Sequence, residues 1–325
     1  MGRRMRRRRG AVTAALLAAV VVVPTVTGCT SGSGGDDGRV RSPEPTGSRA
    51  DGSGHGPVLA VKIDNVPAAR PATGLGAADV VYVEQVEGGL SRLMAVYATR
   101  LPETVGPVRS ARESDLELLR QFDQPTFAFS GAQSRLMPLI DKAPLRAVTP
   151  GDAPDAFFRG AGRPAPHNLF LRPAGLLSSA PGTDALTTGF RYGPAPAGGT
   201  AETTRTVRYP AARFSFTWSE SRHRWLVTMD GRPAVMTDGQ RMAPATVVVQ
   251  YVKVRESAFH DFRGSNSPYT ETVGSGKAQV MRDGRVFDVA WKRPTAMDGT
   301  AFTTNDGAPV NFARGQVWVV FAKAP

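Results

Sequence analysis

The stretch that most constrains this 325-residue chain runs from residue 78 to residue 99. Its side chains fall into two interleaved sets. Val80, Tyr82, Glu84 and Val86 share one face, and Val81, Val83, Gln85 and Glu87 share the other. A period of two is the signature of a β-strand. Gly88-Gly89 reverses the chain, and residues 91–99 return with similar character, so the segment reads as a β-hairpin. Glu84 sits among two valines and a tyrosine. Glu84 is therefore either at a sheet edge or partnered by a cation, because a buried charge stripped of its partner costs several kcal/mol. Arg92, Arg109 and Arg112 are the candidates. Residues 58–64 form an apolar run broken by Lys62 and ended by Asp64-Asn65, which reads as a strand entering a turn.

The C-terminal part repeats the β signature. Asp-Gly recurs at 230, 238, 283, 298 and 306 between alternating segments, a strong hairpin signal. Residues 246–254 are mostly apolar and β-branched, as in a central strand. Trp218, Trp225, Trp291 and Trp318 can stack on sugar rings, but in a small β-domain tryptophan goes into the core by default. His260-Asp261 has no third member to make a triad.

Charge gathers around residues 106–115, Gly-Pro-Val-Arg-Ser-Ala-Arg-Glu-Ser-Asp. Ser110 and Glu113 stand at capping-box spacing, and Leu116, Leu119 and Phe122 follow at helical spacing, so a helix with one buried face is expected over 111–122. Arg109 and Arg112 flank that cap, where backbone N–H groups and the helix dipole favour an anion. Guanidinium forks suit a carboxylate or phosphate. The alternative is that both arginines pair with the chain's own Glu84, Glu87 or Asp115. Residues 131–200 read as mainly loop, rich in Pro and Gly, with an aromatic content that argues for packing. Within them His167 is either a general acid/base or a structural ring bonded to a loop carbonyl. No set of His, Cys or carboxylates shows metal-ligand spacing.

The N-terminus carries its own instructions. Six arginines lie in the first nine residues, followed by an apolar run at 11–23 that is too short to span a bilayer and suits a secretory signal. Val26-Thr-Gly-Cys29 resembles a bacterial lipobox; the alternatives are an ordinary signal peptide or a membrane anchor. Cys29 is the single cysteine of the chain, which excludes intramolecular disulfides and leaves acylation as its evident use. Residues 30–56 have almost no large apolar side chains and read as a flexible tether of about 30 Å root-mean-square reach. The net charge of +12 falls to +6 without residues 1–28, and no motif for nucleic acid accompanies it.

Taken in order, Val61-Lys-Ile-Asp-Asn65, Ala69-Arg-Pro71, Ala78-Asp-Val-Val-Tyr82, Val86-Glu-Gly-Gly89, Gly106-Pro-Val-Arg-Ser-Ala-Arg112 and Pro166-His-Asn168 resemble the motifs of the YerB-like lipoprotein family. The resemblance covers roughly residues 57–323. It implies an α+β fold, with a layered mixed α/β N-terminal domain and a smaller β-rich C-terminal domain, and it implies no assigned reaction. The expected segments are a signal peptide at 1–28, a tether from lipidated Cys29 at 29–56, the motif-bearing domain at 57–200 and the β-rich domain at 201–325. Two functions follow as expectations. In the first, a membrane-anchored extracytoplasmic lipoprotein binds an anionic cell-wall glycan, peptide or partner through Arg109, Arg112, Ser110, Arg92, Arg70, Lys62, Asp64, Arg159 and Asn168. In the second, a hydrolase or lyase acts on a wall polymer with His167 and Glu84, Glu87 or Asp115 as acid and base. Neither needs a metal or cofactor, and the sequence specifies no oligomeric state.

Overall fold

A computed structural model describes residues 56–325 apart from 262 and 263. The signal segment, Cys29 and the tether expected over residues 1–55 lie outside those residues. The predicted hairpin is present. Strand β1 (Leu59–Asp64) pairs antiparallel with β3 (Ser91–Tyr97), and β3 pairs antiparallel with β2 (Val80–Gln85). Gly88 and Gly89 both hold positive φ, 67° and 70°, where a Cβ is disfavoured. Beyond β1 the sheet continues through β4 (Thr126–Ala128) and β5 (Arg146–Val148), both parallel additions.

On the other side of β2 the partner comes from the far end of the chain. The strand Val317–Lys323 runs parallel to β2, and Thr246–Val252 runs parallel to Val317–Lys323. The hairpin of Gly274–Arg282 and Arg285–Arg293 extends the sheet from there. Strands from both sides of residue 200 therefore share one 11-stranded sheet. Two of the Asp-Gly pairs make two-residue hairpin turns with both residues at positive φ. Asp283-Gly284 (51° and 69°) joins Arg282 to Arg285, and Asp230-Gly231 (52° and 81°) joins Met229 to Arg232.

Period-two alternation sends side chains to opposite faces of this sheet. Val81, Val83, Leu93 and Trp318 face a four-stranded sheet whose Phe214, Phe216, Trp225 and Val227 complete one core. Val80, Tyr82, Met94 and Val319 face the helices, packing with Leu118, Leu119 and Phe122 of the first helical region and Ile140 of the second.

The expectation of a layered mixed α/β N-terminal domain is corrected to a β-rich fold. The described residues contain two α-helices, α1 (Glu113–Leu119) and α2 (Met137–Lys142), of seven and six residues. Frequent Pro and Gly divide residues 131–200 into short strands and single turns, so no longer helix forms there. The cap is also corrected. Arg112, not Ser110, is the residue before the helix, and the Asp115 carboxylate accepts its backbone N–H at 2.7 Å. Ser110 lies too far upstream to cap a helix that begins at Glu113.

Candidate functional site

The polar ends of β1, β2 and β3 meet α1 on the helix-bearing face. Antiparallel register places Asp64 and Glu84 on either side of Arg92. Directly opposed residues project from the same face, so the three charges, with Lys62 two residues behind Asp64, gather at one end of the sheet.

The deepest layer is sealed. Lys62 is fully buried and bonds Glu84, and its Nζ lies 2.6 Å from Asp115 Oδ1. Ser114 donates to Glu84 Oε2 at 3.1 Å. The cation for Glu84 is thus Lys62, in place of the arginines expected from sequence. An ammonium on β1 reaches it across β3 without leaving the core. Burial pulls the Lys62 pKa down to about 8. Asp115 opposes that pull, while Arg92 and Arg112 reinforce it. Glu84 and Asp115 are committed to this network and do not line the cavity above it, which separates them from His167 as acid/base partners.

Above this layer opens a cavity of about 1200 Å³. Arg112 forms a bidentate pair with Glu87, at 2.5 and 2.7 Å, and Ser267 also donates to that carboxylate. Burial alone would raise the Glu87 pKa. The hydrogen bonds and charge of Arg112, helped by Ser267 and Arg92, overrule burial and hold it at about 2. Arg112 therefore does not offer an open fork to an anion. Arg109 Nε lies 3.1 Å from Asp64 Oδ2, at an angle that makes no hydrogen bond. Asp64 also faces His167, whose Nδ1 is 2.8 Å from the same oxygen. The helix-terminus clamp of Arg109 and Arg112 is accordingly corrected, since carboxylates of the chain accompany both, and a helix of two turns adds little dipole.

Arg92 is the exception. It is 8% exposed, it donates one hydrogen bond (Nη1 to the Ser110 carbonyl, 3.0 Å), and it joins no ion pair among the described residues. Asp64 and Glu84, its cross-strand neighbours, are held by other cations. Burial and then repulsion from Arg112 lower its pKa below the ordinary guanidinium value, with Glu87 opposing and Arg109 adding to the repulsion. It remains a cation at neutral pH. Its unmatched N–H groups face the cavity it lines.

The other candidates separate by position. Ser110 and Arg109 line both this cavity and a neighbouring one of about 550 Å³, where Arg159 lies and donates to Asn168 Oδ1 at 2.7 Å. Arg70 faces neither cavity. It pairs with Asp230 at 2.8 Å and with the Asn65 carbonyl at 2.6 Å, tying the turn after β1 to a distant hairpin. Sequence reasoning gave no site role to Ser257, His260 or Ser267. Ser257 donates to Glu113 at 2.5 Å, Ser267 holds Glu87, and His260 meets Gln133 at 3.2 Å across the cavity. No spacing signal links a serine to a glutamate 180 residues away. Among the described residues, no group of three or more His, Cys, Asp or Glu converges as a metal set.

Two family models match the chain. The N-terminal domain of a protein of unknown function, DUF3048, matches residues 45–186, and the DUF3048 C-terminal domain matches residues 205–319. A protein of Bacillus subtilis named "Putative lipoprotein YerB" is 25% identical over 278 residues, which is 80% of each chain. The crystal structure of the Bacillus subtilis YerB protein shares the fold, with a TM-score of 0.66 over 82% of this chain and 90% of that one, at 21% identity.

Proposed function

The chain belongs to the DUF3048 family, and on that premise we propose that it is an extracytoplasmic lipoprotein, held to the membrane through Cys29, that binds a carboxylate of a cell-wall fragment in the cavity floored by Arg92. The single observation that carries this reading is the buried guanidinium of Arg92, which has one carbonyl acceptor and no carboxylate partner. Leaving such a charge unmatched in the protein is costly, and a ligand anion offsets that cost on entry. Arg109, only partly engaged by Asp64, supplies a second set of donors at the same wall. The lipoprotein name of the Bacillus relative and the lipobox around Cys29 support the anchor, which needs both acyl chains and tether to hold a folded body near the wall. The test is a titration of the full chain in detergent with a wall-derived peptide acid and with its C-terminal amide. Arg92→Met should weaken the acid at least about 10-fold, near 1.4 kcal/mol, and the amide should bind poorly to the parent. Equal affinity of parent and variant for the acid refutes the reading.

A second reading is favoured by one distance, the 2.8 Å between His167 Nδ1 and Asp64. A carboxylate on Nδ1 orients the ring so that Nε2 can act as a general base on water, and Arg92 or Arg109 can then stabilise an oxyanion. Here the carboxylate beside His167 is Asp64, which orients the ring, whereas Glu84, Glu87 or Asp115 was expected to share the acid and base roles with it. Wall-polymer cleavage that His167→Ala abolishes would establish this enzyme in place of a binding protein.

A further inference from the structure

A second cluster of guanidiniums lies away from the cavity just described. Arg222 ends a short turn, Arg224 opens the strand Arg224–Met229, and Arg241 follows the strand Arg232–Pro233. All three line a cleft of about 360 Å³ whose remaining walls include Met236, Gln240 and Gln316. No carboxylate lines it, and none of the three joins an ion pair among the described residues. Elsewhere this chain pairs arginines readily, as in Arg70–Asp230, Arg112–Glu87 and Arg255–Glu271.

One wall of the cleft is held by hydrogen bonds. The Gln316 amide donates to the Leu75 and Ala78 carbonyls and accepts from Trp318 Nε1, so both of its N–H groups are matched within the chain. Arg224 is fixed by a bond from Nη1 to the His223 carbonyl at 2.8 Å, and Arg241 by one from Nη2 to the Val227 carbonyl at 2.8 Å. Arg241 Nε is shielded from solvent and has no acceptor. Burial and repulsion from Arg222 lower the Arg241 pKa, the response of a cation that the surrounding protein leaves unmatched.

We infer that the cleft formed by Arg222, Arg224 and Arg241 is a phosphate-binding site, separate from the Arg92 cavity. Three guanidiniums lining one cleft offer more donors than one planar carboxylate can accept, and they match the several oxygens and the one to two negative charges of a phosphate group. The volume accommodates one phosphate with a small substituent. Both free phosphate and an anionic lipid headgroup carry that group.

The experiment titrates the full chain in neutral detergent micelles, first with inorganic phosphate and then with phosphatidylglycerol doped into the micelles, phosphatidylcholine being the blank. Saturable binding of inorganic phosphate identifies the free ion, and binding confined to phosphatidylglycerol identifies a headgroup. In either arm Arg241→Gln and Arg222→Gln should each weaken binding at least 10-fold. Arg222 is exposed, so its variant keeps the fold if Arg241→Gln proves unstable. Arg232→Gln, exposed on the neighbouring strand and outside the cleft, should leave affinity unchanged. Four results overturn the site: no binding in either arm, affinity indifferent to Arg222 and Arg241, an equal loss on Arg232→Gln, or abolition by Arg92→Met.

Discussion

Of the three arginines buried in the large sheet, Arg92, Arg282 and Arg293, the first and last have the most different surroundings. Arg293, 1% exposed at the end of the strand Arg285–Arg293, donates to the carbonyls of Glu117, Leu118, Ala296 and Asp298 and to Thr272 Oγ1. Two of those carbonyls belong to α1, whose C-terminal acceptors have no partner within the helix. Arg293 thus ties a helix to a strand through hydrogen bonds alone. Arg92, at the start of β3, is buried nearly as deeply and has a single acceptor. The comparison teaches that burial by itself does not mark a binding cation. The count of unmatched donors does, because a matched guanidinium has nothing left to offer a ligand.

The largest effect expected from this contrast is on stability. Arg293→Ala removes all five of that side chain's hydrogen bonds and should cost about 3–5 kcal/mol in urea unfolding. Arg92→Met should change stability by less than about 1 kcal/mol, since it removes an unmatched charge and keeps the aliphatic stem. Similar losses in the two variants would erase the distinction.

An intermediate effect is expected from Glu87, which gives Arg112 the matched character of Arg293. Its folded pKa of about 2 lies below the ordinary 4.5. On acidification the unfolded chain therefore takes up the proton first. The pair's contribution is present above about pH 4.5 and is lost as the pH falls toward 2, to the extent of roughly 2–3 kcal/mol. Acid titrations of unfolding should show that loss in the parent and not in Glu87→Gln. An unchanged acid limb in the variant would place the stabilising pair elsewhere.

The smallest effect is expected from Asp64→Asn, which makes Arg109 more like Arg92 by removing its competing carboxylate. Affinity for the wall-derived peptide acid should rise about 3–5-fold, within the roughly 1 kcal/mol of a partly exposed ion pair. Weaker binding in this variant would mean that Asp64 serves the ligand and does not compete with it.

Much of the β framework was legible before any coordinates. The alternation at 78–87, the return at 91–99 and the apolar run at 246–254 became β2, β3 and the strand Thr246–Val252, because a period of two specifies which side chains share a face. Asp230-Gly231 and Asp283-Gly284 made tight hairpin turns because few residues other than Gly, Asn and Asp tolerate the required positive φ. The helix expected over 111–122 is shorter at both ends, Glu113–Leu119, and its start is set by the Asp115 carboxylate on the Arg112 backbone N–H. The site was legible as a set of residue types and illegible as a set of pairs. Lys62 was read as a ligand contact and is sealed against Glu84. For Arg109 and Arg112 the sequence leaves open an anion clamp and pairing with the chain's own carboxylates; carboxylates accompany both, while Arg92 carries the unmatched donors.

By itself the sequence determined many of the local conformations, the single cysteine, and the gathering of arginines and carboxylates in a few short motifs, because these depend on neighbours within a few residues. Only the tertiary structure decided that Val317–Lys323 inserts between β2 and Thr246–Val252, and that Lys62 takes Glu84 while Glu87 takes Arg112. The physical reason is common to both. Parallel pairing and charge pairing are competitions among segments far apart in the chain, settled by which arrangement buries the most apolar surface and leaves the fewest polar groups unmatched.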